Sequence, residues 1–165
     1  MRWSGIQVLY DADPEAHRAR LREMGLDVPA DVFEQLFHEP HADQMFAAVV
    51  QSIDWTGVVW REVELSGLAL SEAHVPREYE HAVEEARART GEEGLQDERP
   101  EVVAHWREAS TWFRAPVLVT GQVTDRLVGY DLLVGFTRLG DLLGLMDRGE
   151  VPAHSKHRVW VGSRA

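Results

Sequence analysis

The sequence predicts an α/β (α+β) domain, in which helices pack on a mixed sheet after a mainly helical N-terminal extension. Apolar and polar side chains alternate over residues 58–66, which is typical of a half-buried strand. Two short apolar runs, at 115–124 and 129–135, contain the glycines expected of strands and their turns. Apolar residues recur at helical spacing through most of the remaining chain. We therefore assign residues 1–57 to the extension and residues 58–165 to the α/β domain.

The extension begins with a short β-prone run at residues 6–10, which predicts a strand. A helix follows, since Asp13 suits its N-cap, Pro14 its first position and Gly25 its end. Two more helices are predicted on either side of Pro40, because proline interrupts helical hydrogen bonds.

The α/β domain is predicted to follow the order β-α-α-β-β-α-β. Its first strand ends at Gly67, and its first helix ends at Gly91. The helices are predicted at residues 75–91, 99–113 and 136–149. A loop and a final strand are predicted at residues 150–162. The polar residues 92–100 predict a loop and are the best candidate for a mobile segment.

The charge balance is strongly acidic, with 28 Asp and Glu against 17 Lys and Arg and a formal net charge of −11. This field repels phosphate backbones, so nucleic-acid binding is not expected, although one local basic pocket is compatible with it. The absence of cysteine excludes disulfides, thiolate zinc sites and cysteine nucleophiles. No apolar run reaches the roughly 20 residues of a membrane span, and no signal peptide is recognised. We therefore expect no membrane association and a cytoplasmic location.

Gly135, Phe136, Thr137 and Arg138 lie where the second apolar run turns into a helix. Glycine allows a sharp turn and a close approach by a ligand. The first amides of a helix point outward with the positive end of the helix dipole, which suits an anion. Thr137 adds a hydroxyl, and Arg138 can fork onto phosphate oxygens. The alternative is structural: Arg138 pairs with an acid such as Asp141, and Gly135 merely ends the strand.

These segments together resemble the ParB/sulfiredoxin-like family over residues 58–165. The matching pieces are RAPVLVTGQV and then YDLLVGFTRLGDLLGLMDRGEVPAHSKHRVWVG, in which Gly135 to Arg138 corresponds to the family's G-x-x-R box. The box is most similar to the G-H-T-R form of the family's free-serine kinases, with Phe136 in place of histidine. The resemblance implies a ParB/sulfiredoxin-like mixed sheet and a nucleotide or other phosphorylated ligand at the box.

The sequence departs from that family in two places. Sulfiredoxins carry a catalytic cysteine in the box, and its absence here excludes the reduction of sulfinic acids. The serine kinases carry an acid just before the box, where this chain has Val134. Their catalytic acid near the early strand is matched by Glu62, Glu64 or Glu72, and the sequence does not choose among these. Phosphotransfer or nucleotide hydrolysis would follow if a carboxylate such as Glu62 or Glu64 faces the box and holds Mg²⁺.

Two further segments are candidates for lining a ligand pocket. Lys156, His157 and Arg158 form a basic stretch that the resemblance places close to the box, where it would extend a phosphate pocket. Its alternative role is a basic loop that balances nearby acids. The segment Trp112–Arg114 could line a pocket or an interface, although core positions are expected for most of the six tryptophans.

His38, His41 and Asp43 lie within six residues and are side chains that ligate zinc or manganese. Pro40 breaks the helix that would align them, and no further ligand stands out. Polar caps on a helix–helix turn are therefore the expected role, and no metal site is assigned.

Two functions from different classes follow from these features. The first is binding of a phosphorylated ligand, with a nucleotide as the leading candidate, at Gly135 to Arg138 and with Mg²⁺ as its companion ion. The second is a non-enzymatic, immunity-like or regulatory protein whose acidic surface binds a basic protein partner. The surroundings of Arg138 discriminate between them. A tightly paired acid argues against a phosphate site, and an open, positive turn argues for it.

Overall fold

The computed structural model describes residues 1–97 and 99–165, and over these it contains eight α-helices and a four-stranded sheet. The helices are α1 (Trp3–Gln7), α2 (Pro14–Glu23), α3 (Ala30–Val32), α4 (Gln44–Val50), α5 (Gly67–Ser71), α6 (Arg77–Glu93), α7 (Pro100–Ala109) and α8 (Phe136–Asp147). A π-helical segment, Phe33–His38, continues α3. The strands are β1 (Val58–Ser66), β2 (Val117–Thr120), β3 (Tyr130–Val134) and β4 (Lys156–Arg164).

The sheet is mixed and has the strand order β1-β4-β2-β3. β4 runs antiparallel to β1 and parallel to β2, whereas β3 runs antiparallel to β2. This confirms the predicted α/β (α+β) class. The order β-α-α-β-β-α-β is also found, with the short α5 in addition. β1 and β3 therefore lie at opposite edges of the sheet.

Helices cover both faces of the sheet and enclose two apolar cores. Trp3, Phe37 and Trp55 of the N-terminal part pack with Val117 and Val119 on one face. On the other face, side chains of α6, α7 and α8 pack with Leu118, Leu132 and Val159. Successive residues of β2 thus point into different cores, which explains why this strand is apolar at every position from Val117 to Val119.

The closest helix pair is α6 and α8, which cross at two glycines of α8. A methyl group on Gly140 would lie 2.5 Å from the backbone oxygen of Val83 and 2.6 Å from the Ala86 Cβ. One on Gly144 would lie 2.7 Å from the backbone oxygen of Arg87. The missing side chains let the two helix backbones approach, and this contact positions the N-terminus of α8. None of the described helices combines the length and the apolarity needed to cross a bilayer.

The predicted strand at residues 6–10 is wrong, because the chain forms α1 over Trp3–Gln7 instead. Trp3 and Ile6 lie three residues apart, face the same side and are each only 1% exposed. Burial of both side chains in one core favours the helix over the β propensity of the short run. The next helix agrees with its prediction: Asp13 caps α2 through the amide of Glu15, and Gly25 follows the helix end with a φ of 83°.

Two predicted helix ends are also wrong. α6 continues past Gly91 to Glu93, and Gly94, with a φ of 80°, ends it. Gly91 lies instead where the backbone of α6 approaches Gly144. α7 ends at Ala109 rather than at residue 113, because Ser110 takes the left-handed conformation with a φ of 54°.

The connecting segments show two smaller differences from the sequence expectations. β1 ends at Ser66 as predicted, but Gly67 then begins the short helix α5. In the predicted loop at 92–100, residues 94–97 and 99 are irregular, and Glu98 lies outside the described residues. Pro40 does separate two helical segments, as predicted.

Candidate functional site

The turn from β3 into α8 is built on Gly135, which has a φ of 101° and occupies the N-cap of the helix. A side chain here would be strained by that backbone conformation and would also collide with Pro116, at 2.6 Å from its Cβ. Glycine at the N-cap supplies no side chain to the first amides of α8, and no other side chain of residues 1–97 and 99–165 caps them. Thr137 is exposed at the second helical position, and Phe136 stacks on Tyr79 with ring centroids 4.0 Å apart. Gly135 itself is buried, and Thr137 is the exposed residue of the turn.

Arg138 folds back over this turn and bridges three parts of the chain. Its Nη1 donates to the backbone oxygen of Arg114 at 2.7 Å, and its Nη2 donates to Gln35 Oε1 at 2.8 Å. Both acceptors are neutral, and no carboxylate of the described residues forms an ion pair with this guanidinium. Burial, and then the neighbouring Arg114 charge, lower the pKa of Arg138 to about 10, so the side chain stays protonated at neutral pH. The structure thus holds a mostly buried positive charge without an opposite charge in contact.

Arg114, immediately beside it, is in the opposite situation. Its guanidinium meets Asp31 at 2.9 Å, Glu34 at 2.6 Å and Glu39 at 3.3 Å. Asp31 also accepts a hydrogen bond from the indole nitrogen of Trp160 at 3.0 Å. Three carboxylates surround Arg114, so its charge is compensated within the fold. Two of them, Asp31 and Glu39, also favour the charged form of Arg138, although neither contacts its guanidinium.

A cleft of about 210 Å³ opens beside Thr137 and Arg138, between the N-terminus of α8, the start of α7 and the segment that follows α7. Its polar lining is Asp97, Arg99, Arg114, Thr137, Arg138 and Asp141, and its aromatic lining is Trp106, Trp112 and Phe113. A second, more open hollow of about 520 Å³ shares Asp97, Arg99, Thr137 and Asp141 with it. The two hollows therefore lie side by side, with Thr137 in the lining of both.

The two carboxylates in the cleft have their own partners. Asp97 is paired with Arg99 through two hydrogen bonds, at 3.0 and 3.1 Å, which lower the pKa of its carboxyl. Asp141 accepts from the Thr90 hydroxyl at 2.7 Å, and burial raises its pKa. Asp141 does not pair with Arg138, so the structural role considered for that arginine from sequence is not the arrangement found.

The structure does not bring the candidate acids Glu62 and Glu64 to this turn. Both lie on β1, at the edge of the sheet opposite β3, and both are exposed. Glu62 is ion-paired with Arg158 at 3.3 Å. The acids that line the cleft, Asp97 and Asp141, belong to other segments of the chain.

The basic stretch before the last strand is not a loop, because Lys156, His157 and Arg158 already belong to β4. Alternation along the strand exposes Lys156 and Arg158 and buries His157 completely. The His157 Nδ1 lies 2.9 Å from the Thr111 hydroxyl, and burial lowers the pKa of the ring. None of the three side chains lines the cleft at Arg138.

The side chains of the His38–Asp43 segment have structural contacts. Asp43 caps α4 by accepting from the amides of Met45 and Phe46, at 2.9 and 3.1 Å. His41 stacks on Tyr10 with ring centroids 3.5 Å apart. Among the described residues, no group of three or more potential ligands is arranged to hold a metal ion. These contacts agree with the predicted role as caps at a helix–helix turn.

Sequence reasoning missed Gln35, Asp97 and Arg99 as neighbours of the turn. Gln35 lies in the π-helical segment, 103 residues before Arg138, and no local pattern links the two. The segment Trp112–Arg114 was correctly considered for a pocket lining, because an aromatic pair beside an arginine suits such a place. Trp112 is nevertheless a core residue, 3% exposed, whose indole nitrogen donates to the backbone oxygen of Arg158 at 2.6 Å.

Comparison of the chain with models of known protein families, with curated proteins and with solved structures finds no match. The resemblance to the ParB/sulfiredoxin-like family therefore stays a prediction from the sequence. What the cleft does must be inferred from its own residues.

Proposed function

We propose that this protein binds a small phosphorylated ligand, with a nucleotide as the leading candidate, in the cleft at Gly135 to Arg138. The observation that carries the proposal is the mostly buried guanidinium of Arg138, which contacts neutral acceptors and no carboxylate of the described part of the chain. Asp31 and Glu39 offset this charge without touching it, and an anion in the cleft would contact the guanidinium directly. The same anion would meet the first amides of α8, which no described side chain caps.

The size of the site supports a phosphoryl group in the inner cleft and the rest of the ligand in the outer hollow. Ligand sites usually enclose about 300–1,000 Å³. The inner cleft alone, at about 210 Å³, is smaller than that, and the adjoining hollow adds about 520 Å³. Phe113, which is 54% exposed, offers a stacking surface for a base at the mouth of the inner cleft.

Mg²⁺ enters this proposal as the companion of a nucleotide. Asp97 and Asp141 line both hollows and are the carboxylates that a phosphate-bound Mg²⁺ would meet. The proposal is limited to binding. A phosphotransfer or hydrolysis step assigned to Glu62 or Glu64 would have to act from the opposite edge of the sheet.

The test is a thermal-shift and calorimetric titration with ATP, ADP, GTP, CTP and inorganic phosphate, each with and without Mg²⁺. A ligand present at 100 times its Kd stabilises the native state by about 2.7 kcal/mol. For a chain of this length that corresponds to a Tm increase of roughly 5–10 °C. We expect such a shift for at least one of these ligands.

Two variants and one control locate the site. Thr137→Val keeps the shape of an exposed side chain and removes its hydroxyl. Arg138→Lys keeps the positive charge but loses the planar guanidinium that can donate two parallel hydrogen bonds to a phosphate. Each should weaken binding by about 10-fold or more, since a hydrogen bond to a charged group contributes roughly 1.5–3 kcal/mol. Arg158→Ala removes an arginine that is paired with Glu62 outside the cleft, and it should bind like the wild type.

The absence of any shift with all five ligands would overturn the proposal. Equal loss of binding in Arg158→Ala and Arg138→Lys would also overturn it, because the response would then be one of general charge. In either case a basic protein partner for the acidic surface, at a net charge of −11, becomes the better-supported function.

A further inference from the structure

A histidine and a buried aspartate face each other on the outer edge of β3, away from the cleft at Arg138. The His74 Nδ1 lies 2.7 Å from Asp131 Oδ1, and the Asp131 side chain is 5% exposed. The other carboxylate oxygen, Oδ2, accepts from the Thr124 hydroxyl at 2.6 Å. The Nε of Arg126 lies 3.5 Å from the same oxygen, Oδ1.

The backbone holds His74 in one orientation. The His74 amide donates to the backbone oxygen of Tyr130 at 2.8 Å, and the Leu132 amide donates to the backbone oxygen of His74 at 2.9 Å. These bonds make a one-residue parallel bridge to β3. In the neutral form of the ring, Nδ1–H donates to the Asp131 carboxylate and the lone pair is on Nε2. Nε2 has no hydrogen-bond partner among the described residues, and the side chain is 43% exposed.

The pair lies in a hollow of about 440 Å³ between the end of α4, the start of α6 and the β2–β3 connection. This volume is within the usual range for sites that bind small molecules. One wall is apolar and contains Val49, Ile53 and Leu133. Arg77 and Arg126 line the hollow with one acid, Glu78, besides Asp131. Arg126 is already paired with Asp131, whereas Arg77 forms no ion pair with a described residue. Arg77 is therefore the group that can bind a negative charge on a molecule whose short apolar part lies on that wall.

We infer that His74 and Asp131 form a general-base pair that hydrolyses short carboxylic esters carrying a negative charge. Asp131 orients the ring and fixes the proton on Nδ1, as carboxylates do for catalytic histidines. Nε2 takes a proton from water while the water oxygen bonds to the ester carbonyl carbon. The carbon–oxygen bond to the alcohol then breaks, and the leaving oxygen takes the proton back from Nε2. The products are the acid and the alcohol, and no further reactant is consumed.

The two sides of the hollow divide the recognition of such an ester. The apolar wall takes the carbon chain, because burial of each methylene contributes about 0.8 kcal/mol. Arg77 binds the anionic group, which gives the site its preference for a charged ester. This inference concerns a different surface from the one proposed to bind a phosphorylated ligand, and the two can be tested separately.

The test compares hydrolysis of mono-para-nitrophenyl glutarate, which carries a carboxylate, with that of the neutral para-nitrophenyl butyrate. His74→Asn is the informative variant, since its amide nitrogen replaces Nδ1 as the donor to Asp131 while the base at Nε2 is lost. We expect kcat/KM to fall by about 100-fold or more, as general bases contribute roughly 10²–10⁴-fold. Circular dichroism and the Tm confirm that this variant is folded.

The chain offers a matched control in His81, an 89% exposed histidine on α6 that lies 3.6 Å from Glu85 and faces no buried carboxylate. His81→Asn should hydrolyse both esters like the wild type. Arg77→Gln should raise KM for the glutarate ester more than for the butyrate ester.

Three results would overturn the inference. The first is a wild-type rate no faster than that of His74→Asn or of free imidazole at the same concentration. The second is an equal loss in His81→Asn, which would indicate catalysis by any surface histidine. The third is a preference for the neutral ester, which would exclude the assigned substrate class.

Discussion

Substitution of Gly140 by alanine tests the close contact between α6 and α8 that positions the N-terminus of α8. The added methyl would lie 2.5 Å from the Val83 backbone oxygen, 2.6 Å from the Ala86 Cβ and 3.1 Å from the Arg87 nitrogen. Ordinary contacts between such atoms are about 3.5 Å, so the helices would have to separate by about 1 Å. Two of these three atoms belong to the backbone of α6, so they cannot move away from the methyl by rotation of a side chain.

The expected cost follows from two opposing effects. Alanine in place of glycine within a helix favours folding by about 1 kcal/mol. Overpacking of a rigid contact costs about 1–3 kcal/mol, and the upper value applies where backbone atoms obstruct the methyl. Gly140→Ala should therefore lower the free energy of unfolding by about 2 kcal/mol, and the Tm by roughly 4–8 °C.

Gly91→Ala is the matched control, because the same chemical change is made at a helical glycine of α6 with no atom within 4 Å of the added methyl. Since the methyl meets no other atom there, only the higher helix propensity of alanine changes the stability. We expect Gly91→Ala to raise the free energy of unfolding by up to about 1 kcal/mol. Urea unfolding followed by tryptophan fluorescence measures both variants. A Gly140→Ala protein as stable as the wild type would refute the packing argument, particularly if Gly91→Ala behaved in the same way.

Two further predictions concern the N-terminal helices. Burial first, and then the neighbouring His38 and His41, lower the pKa of His17 to about 4. The native ring is thus neutral where the unfolded chain binds a proton, so stability should fall as the pH drops from about 6.5 towards 4. His17→Leu should lose less stability over that interval in urea unfolding, and an unchanged pH dependence would contradict the assignment. Asp31→Asn weakens the bond to Arg114 and perturbs the one to Trp160. It should cost about 1 kcal/mol and change the tryptophan emission, whereas unaltered emission would argue against the indole contact.

Local patterns in the chain were enough to predict most of the regular structure. Asp13 followed by Pro14 predicts the start of α2, and the apolar run before Gly135 predicts a strand that turns into α8. Such signals work because caps, turns and helical hydrogen bonds join residues only a few positions apart. They failed at Trp3–Gln7, where burial in a distant core decided the conformation. They also failed at Ser110, because serine does not by itself indicate the left-handed backbone conformation that ends α7 there.

At the candidate site, too, local features were predictable from the sequence and long-range contacts were not. The composition and order of Gly135 to Arg138 suffice to predict a turn from a strand into a helix, since glycine and the helix start are local features. Which groups face Arg138 depends on the docking of the π-helical segment and of residue 114 onto that turn. Likewise, His74 meets Asp131 because a residue outside the sheet bridges to its edge strand. Strand order and helix docking bring together side chains that are far apart in the sequence. The residues around each of these side chains do not indicate which partner it will meet, so local patterns cannot predict the pair.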